Sequence, residues 1–224
     1  MRTTLLLSAL LAFTMSSQAA SITINNAGFE DPDVGSGSIV NGSTANWTVS
    51  SYWAGTWNLN SFIYFNAGAP EGSQILFVGY NGVSADVSQT LSATVLPNTT
   101  YTLTFSLGHR NDLDLSVYSV ALEGNGSTIL ATDTAGAPTA GNWVPRTLTF
   151  DSASAPGTVG QTLGIYIHAT GLSAAGTYAQ ADFDNFALNT VTDSSTGSGT
   201  PEPATFGVIG AGLCAIVFAR RRMK

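Results

Sequence analysis

Three stretches of the chain hold the residue types most able to do chemistry. Asn46 to Asn66 (NWTVSSYWAGTWNLNSFIYFN) carries three of the four tryptophans, with tyrosines and side-chain amides among them. Flat aromatic rings stack on the apolar faces of sugars, and amides and hydroxyls bond to sugar hydroxyls. On this reading Tyr52, Trp53 and Trp57 form a carbohydrate-binding platform, while Trp47 and Trp143, each beside an alternating strand, belong to the core. The second stretch is His109-Arg110-Asn111-Asp112, with Asp114 beyond it, read as a polar strand end. The third is the closing segment Ala181-Asp182-Phe183-Asp184-Asn185-Phe186-Ala187-Leu188.

In that closing segment a period of two places Asp182, Asp184, Phe186 and Leu188 on one face. Phe186 and Leu188 belong in the core, which draws Asp184 toward it. A buried carboxylate needs a cation or several donors. A calcium ion, with its preference for oxygen ligands, is the expected remedy outside the cell. Asp31 and Asp33 are further, weaker candidates.

No catalytic residue is expected. The chain has neither a Gly-x-Ser-x-Gly elbow nor a His-Glu-x-x-His motif. Glu71, Asp86 or Glu123 could supply an acid pair for glycoside hydrolysis, but fourteen scattered acids make some such pair inevitable. The sequence therefore reads as a protein that is not an enzyme.

The elements that must position these residues read as all-β. Thr100–Leu107 alternates Tyr101, Leu103, Phe105 and Leu107 with hydroxyl residues, giving one apolar and one polar face. Further strands are expected at Ser61–Phe65, Ile75–Tyr80, Ala85–Ala93, Leu115–Glu123, Ser127–Ala131, Trp143–Asp151, Gln161–His168 and Gln180–Asn189. Turn signals such as Asn81-Gly82 and Gly124-Asn125-Gly126 separate them. Eight or more short strands at this spacing predict a single two-sheet β-sandwich of jelly-roll type over residues 21–192, followed by a polar linker at 193–200.

Charge is unevenly distributed. Between residues 21 and 200 thirteen acids face only Arg110 and Arg146, a net charge of −11. Such a body repels phosphate backbones, which excludes nucleic-acid binding. The one cysteine, Cys214, lies outside it, so there is no disulfide framework.

The two ends read as targeting segments. Residues 1–20, with Arg2, an apolar stretch from Leu5 to Phe13 and small residues at Ser17 to Ala20, have the pattern of a secretory signal peptide cleaved after Ala19 or Ala20. At the other end come Pro201-Glu202-Pro203, an uncharged run from Ala204 to Ala219, and Arg220-Arg221-Arg222. Sixteen residues of helix span roughly 24 Å, enough for a thin membrane with snorkelling arginines. The arginines would keep the C-terminus cytoplasmic. This tripartite tail at 201–224 resembles the PEP-CTERM sorting signal, with a transmembrane helix at 204–219. The resemblance implies processing by an exosortase-type enzyme after export and signal peptidase cleavage, and a home in the cell envelope or extracellular matrix.

The opening Asn25-Asn26-Ala27-Gly28-Phe29-Glu30-Asp31-Pro32 and the closing strand together resemble galactose-binding-like jelly rolls, including many carbohydrate-binding modules. That resemblance implies a structural calcium joining Glu30 to Asp184. The resulting expectation is an exported surface protein with a non-catalytic sandwich that binds carbohydrate or exopolysaccharide. The alternatives are a purely structural, self-associating surface protein and, more distantly, a secreted hydrolase.

Overall fold

The computed structural model describes residues 17–59 and 63–193. Among the described residues thirteen strands form two sheets: β1 (Ser17–Ile22), β2 (Ile39–Asn41), β3 (Thr48–Val49), β4 (Ala54–Asn58), β5 (Gln74–Val78), β6 (Ala85–Thr94), β7 (Thr99–His109), β8 (Asp114–Leu115), β9 (Tyr118–Gly124), β10 (Thr128–Asp133), β11 (Asn142–Asp151), β12 (Thr162–Ala169) and β13 (Ala179–Asp193). The larger sheet runs β11-β7-β13-β5-β4-β2, with β1 and β8 also paired to β13. The smaller runs β10-β9-β12-β6-β3.

The core lies between the sheets. Leu76, Val78, Leu103, Phe105, Leu107 and Phe183 of the larger sheet meet Val87, Val120, Leu122, Leu163, Ile165 and Ile167 of the smaller. These are the alternate positions that the period of two assigns to one face. The expected strand at Ser61–Phe65 is not formed over its described part, Ile63 to Phe65, and residues 60–62 lie outside the described residues. The aromatic stretch before it contains β3 and β4.

β13 corrects the expected placement of its acids. Phe183 packs in the inter-sheet core, and so do Phe186 and Leu188. The pairing of β13 with β7 shifts register between Asp184 and Ala187, and Asn185 takes φ 55. This bulge adds a residue and resets the alternation. Asp182 and Asp184 therefore face away from the inter-sheet core, on the opposite side from Phe186 and Leu188.

Among the described residues no helix is long and apolar enough to cross a membrane. The expected span 204–219, the sorting tripeptide Pro201-Glu202-Pro203, Arg220 to Arg222 and most of the leader lie outside the described residues.

Candidate active site

The outer face of the larger sheet is built around one row of paired residues. Trp143 on β11 pairs with Gly108 on β7, Gly108 with Asp182 on β13, Asp182 with Phe77 on β5, and Phe77 with Gly55 on β4. Gly108 lets the row close over the acid: a Cβ there would lie 2.6 Å from the Trp143 ring. Trp143 stacks on Phe65 with ring centroids 4.5 Å apart. Trp57, Phe65, Ile75 and Phe77 form a second apolar cluster, separate from the inter-sheet core.

Beside this row lies a cavity of about 330 Å³. Its aromatic walls are Tyr52, Trp53, Trp57, Tyr64, Phe77 and Tyr80. Arg110 and Gln180 supply polar groups, and Ile39 and Asn41 complete the rim. The rings brace one another: Tyr52 packs on Trp53 at 5.4 Å, Trp53 on Tyr80 at 5.3 Å, and Trp57 on Tyr64 at 4.8 Å. Tyr52 is largely exposed, whereas Trp57 is buried on β4. Tyr52, Trp53 and Trp57 thus come together, as walls of a concave site.

Asp182 is the chemically distinctive group. It has no exposed surface, and its Oδ2 has no hydrogen-bond partner. Its Oδ1 accepts one bond, from Gln180 Nε2 at 2.6 Å. Burial pushes its pKa up to about 7, against the pull of Arg110 and the Gln180 bond and with a push from Asp112. Burial disfavours the charged form of a carboxyl, so Asp182 holds a proton close to neutral pH. Asp182 does not itself line the cavity, but Gln180, its hydrogen-bond donor, and Phe77, directly opposite it, both do.

Arg110 is more than a polar strand end. Its Nε and Nη2 grip Asp112 at 2.9 and 2.7 Å, and Nη1 donates to Gln180 Oε1 at 3.1 Å. Its guanidinium lies 5.0 Å from the centre of the Trp57 ring and 4.5 Å from that of Tyr64. Burial opposes its charge, but the bonds to Asp112 and the nearby Asp182 outweigh this and raise its pKa. His109 lies outside the cavity's lining, its Nδ1 2.8 Å from Pro138 O.

A second acidic group forms around Asp184, also fully buried. Its Oδ2 accepts from Glu71 N at 2.8 Å and its Oδ1 from Asn185 N at 2.6 Å. Glu30 Oε1 accepts from Ser73 N and Gln74 N at 2.8 and 2.7 Å. Burial raises Asp184 to about 8; the two backbone bonds oppose this, and the charges of Glu71 and Glu30 add to it. Glu30 and Asp184 therefore share one locality, joined there by Glu71. Asp31 and Asp33 instead serve the local chain: Asp31 N bonds Asn26 Oδ1 and Asp33 Oδ1 accepts from Gly35 N. Among the described residues no three or more His, Cys, Asp or Glu side chains form a ready-made metal group. Asp86 on β6 and Glu123 on β9 belong to the smaller sheet, whereas Glu71 lies between β4 and β5 of the larger.

The reading of the sequence missed Asp182 as a reactive group, and with it Arg110, Gln180, Tyr64, Phe77 and Tyr80. No short motif joins them; only the strand pairing does.

Fold and site define a β-sandwich with an aromatic cavity and a buried, protonatable acid. The chain belongs to the HpiC1-like family, matching the HpiC1 cyclase model over residues 20–189. It is similar to the Stig cyclase Fisc from Fischerella sp. TAU, solved in complex with (3Z)-3-(1-methyl-2-pyrrolidinylidene)-3H-indole. Identity is 27%, the TM-score 0.67, and the match covers 77% of this chain and 98% of that one. A cyclase from Fischerella sp. TAU in complex with 4-(1H-indol-3-yl)butan-2-one matches at 27% identity and TM-score 0.66, over 76% and 97% of the two chains. No curated protein matches the chain.

The family overturns the functional expectations drawn from the sequence. The chain is not a non-catalytic carbohydrate-binding or structural surface protein, nor is its family one of exosortase substrates: the family is one of enzymes that catalyse cyclisation. In place of the expected exosortase and polysaccharide, the family points to a small-molecule substrate. The PEP-CTERM resemblance rested on residues 201–224, outside both the matched span and the described residues. The carbohydrate-module resemblance rested on the two ends of a sandwich, which many functions share.

Proposed function

We propose that this protein is an acid-initiated cyclase acting on a small aromatic substrate of indole type. The observation that carries this reading is Asp182, a fully buried carboxyl with one unpartnered oxygen and a proton affinity near neutrality, bonded to Gln180 and paired with Phe77, which line a cavity walled by aromatic rings. A general acid works best when its pKa lies near the working pH. The indole compounds held by the similar Fischerella cyclases supply the substrate class.

The chemistry is a proton-neutral isomerisation. Asp182 transfers its proton to an electron-rich double bond of the substrate. The cation formed is attacked by a second π bond of the same molecule, making the ring-closing carbon–carbon bond. Loss of a proton to the Asp182 carboxylate restores both acid and neutrality. The faces of Trp53, Trp57, Tyr64 and Tyr80 favour the cationic stage through their quadrupoles and keep water from capturing it.

The residues around Asp184 suit a calcium ion, as part of the same proposal. Asp184 is buried, and after burial the charges of Glu71 and Glu30 add to its hold on a proton. Calcium between Glu30, Glu71 and Asp184 would relieve that repulsion and tie β13 to the opening segment and the β4–β5 connection. The proposal also includes a galactose-binding-like jelly-roll kinship for the sandwich, and export directed by residues 1–20. Cleavage after Ala19 or Ala20 would shorten β1, which N-terminal sequencing of the exported protein reads out.

Isothermal titration with 4-(1H-indol-3-yl)butan-2-one tests the substrate class. Binding that is weakened at least tenfold by Trp57→Ala or Tyr80→Ala, in the range of a lost aromatic contact, supports the site. Binding unaffected by either change places the ligand elsewhere.

A further inference from the structure

Asp112, Arg110, Gln180 and Asp182 form a continuous chain of hydrogen bonds. Asp112 takes two bonds from Arg110, Arg110 donates to Gln180 Oε1, and Gln180 Nε2 donates to Asp182 Oδ1. The order has a directional consequence. A carboxamide has one acceptor end and one donor end. Because the guanidinium, which has donors alone, occupies Oε1, Gln180 must present its NH2 to Asp182. Oδ1 is then an acceptor, and the proton of the neutral acid belongs on Oδ2, the oxygen without a partner.

We propose that Arg110 is a positioning residue of this site: clamped by Asp112 and by the Trp57 and Tyr64 rings, it orients Gln180 and so directs the proton of Asp182 onto Oδ2. The inference rests on the reading of Asp182 as the acid and adds the groups that aim it. The clamp has a second effect. A free guanidinium would pair with Asp182 and ionise it, and would repel a substrate cation. Held bidentately by Asp112, Arg110 bonds Gln180 instead of Asp182, and its charge is balanced within the wall.

The charged and titratable groups around Asp182 come from several elements. Arg110 and Asp112 follow β7. Tyr64 lies between β4 and β5 and faces Arg110. β5 and β11 contribute Phe77 and Trp143, which do not titrate. On β13 itself Asp184 lies two residues on, with Glu30 and Glu71 beyond it. Arg110 lowers the proton affinity of Asp182, and so does the Gln180 bond, whereas Asp112 raises it.

The hydrogen bond into Oδ1 is therefore the signature. The test is infrared difference spectroscopy of the full chain at one fixed, mildly acidic pH, with Asp182→Asn identifying the carboxyl C=O band of Asp182. In the wild type that carbonyl accepts from Gln180. Gln180→Leu removes the bond and moves the band to higher wavenumber, and Arg110→Met moves it the same way by releasing Gln180. Turnover of an indole substrate gives the second readout. Gln180→Leu lowers kcat on the order of 100-fold, as misaimed groups do, with KM little changed. Because the band position needs no turnover, a failed cyclase assignment leaves it intact. An unmoved band in variants whose melting shows them folded overturns the proposal. So does a Gln180→Leu enzyme with unchanged kcat.

Discussion

Asp182 and Phe77 stand directly opposite each other on β13 and β5, an acid paired with an aromatic ring on the outer face of the larger sheet. The pairing withholds water from the carboxyl and leaves Oδ2 without a partner. With the proton held to about pH 7, the free enzyme's kcat/KM should be level below that pH. Above it, kcat/KM should fall about tenfold per unit as the acid form is lost. A profile that rises through pH 7 would instead make Asp182 a base.

Stability should carry the same signature. Asp182 and Asp184 have folded-state pKa values near 7 and 8, against an ordinary value of 3.8. Between these limits the folded chain keeps protons that the unfolded chain has released. Stability therefore falls as pH rises through this window and levels off above about 8. Calcium favours ionised Asp184, so millimolar calcium should raise the melting midpoint at pH 8 and leave it nearly unchanged at pH 5. Identical midpoints in calcium and in EDTA at pH 8 would remove the ion from the account.

Gly28 offers a more local check on that ion. A Cβ at Gly28 would collide with Glu71 Oε2, so Gly28→Ala must turn the Glu71 carboxylate away. The side chain's end is flexible, and the metal-free protein should lose little stability. Calcium's stabilising effect should shrink, which calorimetric scans with and without the ion measure.

The bulge at Asn185 is a hinge for the whole design. Asn185 has φ 55, a region that asparagine and glycine tolerate and most residues do not. Asn185→Gly should be nearly neutral, while Asn185→Ala should cost about 1 kcal/mol in denaturant unfolding. Asn185→Val should cost more and lower activity too, because straightening the strand would misplace Asp182 and Asp184.

The bulge also marks where the sequence stops being readable. β7 is legible because Tyr101, Leu103, Phe105 and Leu107 alternate without interruption, and β13 is legible as a strand on the same ground. The side to which Asp184 points is not. Counting by twos from Phe186 and Leu188 carries it into the inter-sheet core, and nothing in Asp184-Asn185 announces an added residue. The aromatic stretch led to Tyr52, Trp53 and Trp57 because tryptophans cluster there. It led to sugar because ring stacking looks alike in sequence for a sugar face and an indole. Arg110 resembled a strand end since its partners Trp57, Tyr64 and Gln180 come from elsewhere in the chain. Asp182 owes its proton affinity to β5 and β7 neighbours, so no local pattern could reveal it.

The most direct test is turnover. Wild-type protein and Asp182→Asn would be incubated with 3-substituted indoles bearing a side-chain alkene, and the products examined for isomers of unchanged mass and a new ring. The wild type should form such an isomer. Asp182→Asn should form it about 10²- to 10⁴-fold more slowly, the span expected for a lost general acid, while still binding 4-(1H-indol-3-yl)butan-2-one. An Asp182→Asn enzyme that cyclises at the wild-type rate would contradict the account.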